Sequence, residues 1–266
     1  MNKEAIGVFD SGLGGLSAVK ELSKVLPNEN IIYFGDTGRM PYGTRLKETI
    51  KKYTKEDIDF LLSKNVKVIL AACGTVSSVA LDSVKKAVDV PVFGIIDAAA
   101  KEACRVSRSK CIGVIGTKAT IDSGKFEEKI KGIDSGATVY SRACPLFVSI
   151  VEYGFAKEKN EILRLACEHY LSCFRGKVDT LILGCTHFPL IQETIKEVLP
   201  EITLVDPTKE AVKEIKFELQ NKNLLSNSKE KGTVQYFVSD DPISFSEAGR
   251  IFLGERKDIE AIRIVF

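Results

Sequence analysis

Short apolar runs rich in β-branched residues alternate along the chain with longer stretches in which apolar positions recur every three or four residues. The runs at 5–9, 30–35, 66–71 and 91–94, and again at 111–115, 137–141, 178–183 and 202–205, predict strands. The intervening periodicity predicts helices, among them 15–26, 47–63, 76–88 and 157–174. Strands that are apolar almost throughout, each followed by an amphipathic helix, predict parallel sheets covered on both faces.

The two series of strands share a design. IGVFDSG at 6–12 parallels IGVIGTK at 112–118, and VILAACGT at 68–75 parallels LILGCTHF at 181–188. The fold class predicted is therefore α/β, with two pseudo-symmetric domains, each a mostly parallel sheet flanked by helices, and the active site in the cleft between them. Links near 95–101 and 205–210 bound the second unit. Beyond them come a helical stretch, a polar loop at 220–232, a strand at 233–239 and a helix at 242–253. These pieces do not extend the second unit, so the chain is expected to return to the first. The expected domains are 1–97 plus 208–266, and 98–207.

Composition narrows the classes of function. A chain of 266 residues, 44% hydrophobic and 28% charged, can bury two cores. With 38 Lys and Arg against 36 Asp and Glu there is no clustered basic excess, and no nucleic-acid partner is expected. Lys85 and Lys86 sit among apolar and acidic neighbours and read as a solvated helix face. No apolar run reaches the roughly 18 residues of a membrane span. The N-terminus lacks the apolar core of a signal peptide, so a cytoplasmic location is expected. Seven cysteines without CxxC pairs or zinc-like histidine spacing predict free thiols and no metal.

Four segments carry chemistry, and each follows a predicted strand: FDSGLGGLS at 9–17, GDTGRMPYG at 35–43, AACGTVSS at 71–78 and LGCTHFPL at 183–190. Ligands of open parallel sheets bind at those strand ends. Asp10 and Ser11 are placed to hold a cationic, polar group such as an α-ammonium. The Tyr42 hydroxyl and the Gly43 N–H can bind a carboxylate. Cys73 and Cys185, each directly after a strand and followed by Thr75 or Thr186, are expected at helix N-termini, where the thiolate is favoured. His187 can stabilise the neighbouring thiolate or help to protonate it.

Two cysteines in matching places suit one task in particular. Inverting a stereocentre takes a proton from one face and delivers one to the other, which requires two acid/base groups of near-neutral pKa. No paired Schiff-base lysine and phosphate cup is visible, so no cofactor is expected.

FDSGLGGLS, GDTGRMPYG, the first cysteine loop, CPLFVSIVEYG at 144–154 and LGCTHFPL together resemble glutamate racemases of the aspartate/glutamate racemase superfamily, in order and over essentially the whole chain. The resemblance implies Cys73 as the base acting on the D-isomer and Cys185 as the base acting on the L-isomer. It implies Asp10 and His187 as their assistants, and Asp36 and Glu152 as acidic residues near the site. It further implies substrate contacts at Asp10, Ser11, Pro41, Tyr42, Gly43, Gly74, Thr75, Thr186 and His187, a small-molecule substrate (glutamate), a homodimer, and D-glutamate supply for peptidoglycan. The chain departs from the pattern at Gly74, where Asn is usual, and after Asp206, where Ser is usual. A racemase for aspartate or another small amino acid stays open, as do a hydrolase using Cys185 and His187 and a non-catalytic amino-acid-binding protein.

Overall fold

The computed structural model describes residues 4–156, 160–254 and 259–265. Residues 1–3, 255–258 and 266 of the expected first domain, and 157–159 of the helix expected over 157–174, lie outside the described residues.

The first half of the chain runs β1 (Ala5–Asp10), α1 (Leu16–Val25), β2 (Ile31–Gly35), α2 (Lys47–Leu62), β3 (Val66–Ala71), α3 (Gly74–Val79), α4 (Leu81–Val84) and β4 (Val92–Gly94). The second runs α5 (Ile96–Val106), β5 (Cys111–Gly116), α6 (Lys118–Asp122), α7 (Lys125–Ile133), β6 (Thr138–Ala143), α8 (Pro145–Glu152), α9 (Glu161–Leu171), β7 (Thr180–Leu183), α10 (Gln192–Val198) and β8 (Thr203–Val205). The remainder forms α11 (Pro207–Asn221), β9 (Val234–Val238), α12 (Pro242–Leu253) and β10 (Ala261–Arg263).

The strands form two sheets, in the orders β10-β9-β2-β1-β3-β4 and β6-β5-β7-β8. The pairings among the described residues are parallel. Stripped of β9 and β10, the first sheet has the strand order of the second, which is the pseudo-symmetry predicted from the repeated segments. The half built on each sheet is called a lobe below. The C-terminal segment adds β9 and β10 to the first sheet, where β9 pairs with β2.

Burial explains the strands. Every residue of β1, β2 and β3 is buried, as central parallel strands with helices on both faces require. One apolar cluster runs through both lobes and holds Leu16 and Leu22 of α1 together with Phe147, Phe188 and Ile215. Helix starts follow local chemistry: Asp206 and Asp241 accept the first backbone N–H groups of α11 and α12, each with proline next.

Two expectations need correction. The helix expected over 76–88 is broken into α3, α4 and a 3-10 turn, because the chain bends at Ala80. The segments 95–101 and 205–210 are not open links. They start α5 and α11, which pack on each other, and α11 packs on α1 as well, so the two lobes are tied together. Among the described residues no helix is long and apolar enough to cross a membrane.

Candidate active site

A cleft of about 280 Å³ opens between the lobes at the C-terminal ends of β1, β3, β5 and β7. Its size is close to the lower end of the range of small-molecule pockets, roughly 300–1,000 Å³. Asp10, Ser11, Pro41, Tyr42, Gly43, Cys73, Gly74 and Thr75 line it from the first lobe. Glu152, Cys185, Thr186 and His187 line it from the second. Both thiols are buried at its floor, 6% and 7% exposed. A larger groove of about 820 Å³ shares Gly43, Thr44 and Lys118 with the cleft but holds neither cysteine, so the chemistry belongs to the smaller one.

Cys73 caps α3, and the Ser11 hydroxyl lies 3.4 Å from its sulfur. The helix start, through the Val76 N–H, favours the thiolate as expected but is outweighed. Burial and the neighbouring Asp10 outweigh the Ser11 hydrogen bond and push Cys73 up to about 12. Asp10 is buried too, and burial raises its carboxyl above the usual range. Its Oδ2 accepts the Gly12 N–H at 3.0 Å, whereas Oδ1 has no hydrogen-bond partner among the described residues.

Cys185 departs from expectation differently, since a turn and a short 3-10 segment, Phe188–Ile191, follow it before α10 begins. Its partner is His187, whose Nδ1 lies 3.8 Å from the sulfur and 3.5 Å from the Thr186 hydroxyl. The other ring nitrogen, Nε2, lies 2.9 Å from Glu152 Oε1 at the end of α8. Burial by itself lowers the histidine pKa, but the Cys185 sulfur and Glu152 raise it to about 10. His187 is thereby held as an imidazolium between the Cys185 sulfur and the Glu152 carboxylate.

Two residues stand elsewhere than their expected roles require. Asp36 does not line the cleft. It lies behind it, fully buried, and accepts hydrogen bonds from Tyr42, from Arg39 at 2.6 Å and from Ser239 at 2.7 Å. The Tyr42 hydroxyl therefore is not free to bind a carboxylate. It donates to Asp36 and lies 3.1 Å from Asp57, so only the ring faces the cleft.

The family model described as Asp/Glu/Hydantoin racemase matches residues 10–215. A glutamate racemase from Aquifex aeolicus is 42% identical over 261 residues, covering 98% of each chain.

The chain belongs to the aspartate/glutamate racemase family.

A glutamate racemase from Francisella tularensis, solved in complex with D-glutamate, is 39% identical with a TM-score of 0.92, covering 100% of this chain and 98% of that one. One from Bacillus anthracis reaches 0.94 at 32% identity, covering 99% and 98%. The racemase is accordingly an isomerase acting on an amino acid. The linked Cys185, His187 and Glu152 do supply the orienting third group that a thiol hydrolase needs. Family membership sets that reading aside, together with the non-catalytic one.

Sequence reasoning missed several residues of this racemase's cleft. Thr117 and Lys118, after β5, line it. Thr117 meets Thr75 across the lobes at 3.0 Å and Thr120 at 2.9 Å. The signal was present, since Thr117 occupies in IGVIGTK the place that Ser11 occupies in IGVFDSG. Among the described residues no group of three His, Cys, Asp or Glu side chains is arranged to hold a metal ion.

Proposed function

We propose that this racemase interconverts L- and D-glutamate without a cofactor, by two-base proton transfer between Cys73 and Cys185, and so supplies D-glutamate for peptidoglycan. The observation that carries the reading is that two buried thiols, one from each lobe, line the same cleft. Each thiol then serves one face of the substrate Cα.

The surroundings of the two sulfurs support the roles of donor and base. Cys73, pushed up to about 12, rests as a thiol able to donate. Cys185 has the His187 imidazolium at 3.8 Å, which offsets a negative charge on sulfur. In the L-to-D direction Cys185 acts as the base that removes the α-proton, and the Cys73 thiol delivers a proton to the opposite face. That step leaves Cys73 as the thiolate and Cys185 as the thiol, the state from which the reverse turnover starts, so the protons balance over both directions. The weakly acidic α-hydrogen demands a preorganised, water-poor site, and the buried polar groups at the cleft floor meet that demand. Glutamate is favoured by the identity shared with glutamate racemases, and aspartate is the substrate to compare. We assign the lobes as domains 1–97 plus 208–266, and 98–207, and we expect a cytoplasmic homodimer.

The test is to follow optical rotation and Cα deuterium in D₂O with glutamate and then aspartate. Cys73→Ala and Cys185→Ala should each lower racemisation by at least about 100-fold, the lower bound for losing a general acid or base. Undiminished racemisation in either variant overturns the two-thiol mechanism, and faster turnover of aspartate overturns the substrate.

A further inference from the structure

The polar cluster behind the cleft wall holds neither thiol, yet it is costly. Asp57, inside α2, is 0% exposed, as is Asp36 at the end of β2. Asp57 Oδ2 lies 3.1 Å from the Tyr42 hydroxyl, and Oδ1 accepts from Arg39 Nη2 at 3.0 Å. Arg39 also pairs with Asp36 and Glu56, and its guanidinium covers the Tyr53 ring at 4.1 Å from the centroid. Packing alone does not call for this arrangement. A phenylalanine over an aliphatic side chain fills such space without burying two carboxylates. What the carboxylates add is direction: they grip the far end of Tyr42, a residue of the cleft wall.

We propose that Asp57 is a positioning residue of the racemase, which acts through Tyr42 and Arg39 to set the Pro41–Gly43 wall against the substrate. Asp57 touches no substrate and lies on none of the segments that carry the thiols. Its loss therefore acts on binding more than on proton transfer. The inference rests on the proposed reading of the cleft as the substrate site.

The full chain is assayed for kcat and KM with L- and D-glutamate as Asp57→Leu, which fills the volume without charge, as Asp57→Ala, as Asp57→Asn, as Tyr42→Phe, and as Tyr42→Phe with Asp57→Leu. Removing the acceptors should raise KM about tenfold, equivalent to about 1.4 kcal/mol, with kcat changed by less than about threefold. Asn can accept from Arg39 and donate to the phenol oxygen, and it should return KM to within about threefold of the parent. In the double variant the KM effects should not multiply, because both substitutions cut the same tether. A fall in kcat at constant KM overturns the inference, as do multiplying effects. So does folding of the Asn variant alone, because Asp57 is then a stability residue only. Variants that match an active parent sink the inference and leave the substrate reading intact. A parent inert towards glutamate sinks the reading itself.

Discussion

At the scale of single residues, the proton on His187 is the most consequential. A histidine buried among apolar groups ordinarily loses its charge. Here Glu152 at 2.9 Å and the Cys185 sulfur at 3.8 Å hold it up at about 10. Glu152→Gln removes one of those supports, so the imidazolium is lost at lower pH. The alkaline limb of kcat/KM for L-glutamate should move towards neutrality, and an unmoved limb sinks this role for Glu152. Stability carries the same sign. A folded pKa raised above the unfolded value near 6.5 stabilises fully below that value, and the contribution is lost as pH rises through about 10. The variant should therefore unfold more easily than its parent near pH 6 and converge with it above pH 10, as denaturant midpoints at the two pH values can show. Of these residues, Cys185 and His187 were legible because they share one short motif. Glu152 entered by resemblance, and its contact with His187 is formed only when α8 closes against the turn after β7. Asp57 was not legible, because it lies on a helix whose charged pattern reads as solvated.

At the scale of elements, a buried ion pair secures the end of the first sheet away from the cleft. Lys67 of β3 meets Glu29, just before β2, at 2.6 Å, with side chains 1% and 3% exposed. Lys67 also donates to the Leu224 carbonyl at 2.6 Å, and Glu29 accepts the Ser226 N–H at 2.7 Å. The pair thus anchors the polar loop between α11 and β9 beneath strands to which it is remote in sequence. Lys67→Met leaves the Glu29 carboxylate buried without its cation, which should cost about 3–5 kcal/mol of stability. Because the pair is far from the thiols, kcat and KM at a temperature where the variant is folded should match the parent. A denaturant midpoint within error of the parent sinks the assignment. The strands themselves were legible wherever both faces are buried, since an unbroken apolar run leaves little alternative. β10 was not: three residues, Ala261–Arg263, two of them exposed, give no pattern to read. The break at Ala80 escaped too, because the bend replaces helical periodicity with contacts that only the fold creates.

At the scale of the molecule, two copies of one strand order face each other, and what sets their separation is the absence of side chains. A Cβ on Gly74, beside the first thiol, meets the Gly184 carbonyl oxygen at 2.3 Å, next to the second thiol. A Cβ on Gly14 meets the Thr186 hydroxyl at 2.0 Å. Both contacts cross the seam between lobes, close to the Thr75–Thr117 hydrogen bond. Gly74 is thus more than the loss of an asparagine amide that the family resemblance suggests, because in this arrangement no side chain fits there. The Gly184 backbone cannot turn aside, so Gly74→Ala must part the lobes by roughly 1 Å. A misplacement of that size costs about 100-fold in rate when two groups act on one atom. Gly74→Ala should therefore lower kcat/KM for glutamate by about 100-fold while the far-ultraviolet circular dichroism is kept, and Gly74→Asn should do no better despite its amide. Amide hydrogen exchange should quicken at Thr75 and Thr117, where the seam opens. Gly132, with nothing within 4 Å of its would-be Cβ, provides the control, and Gly132→Ala should leave turnover unchanged while stabilising α7 by about 0.5–1 kcal/mol. If Gly74→Ala keeps kcat/KM within about twofold of the parent, the working enzyme holds its lobes further apart than this arrangement. Glycine at 74 would then tune the cleft without limiting how nearly the two thiols approach the substrate.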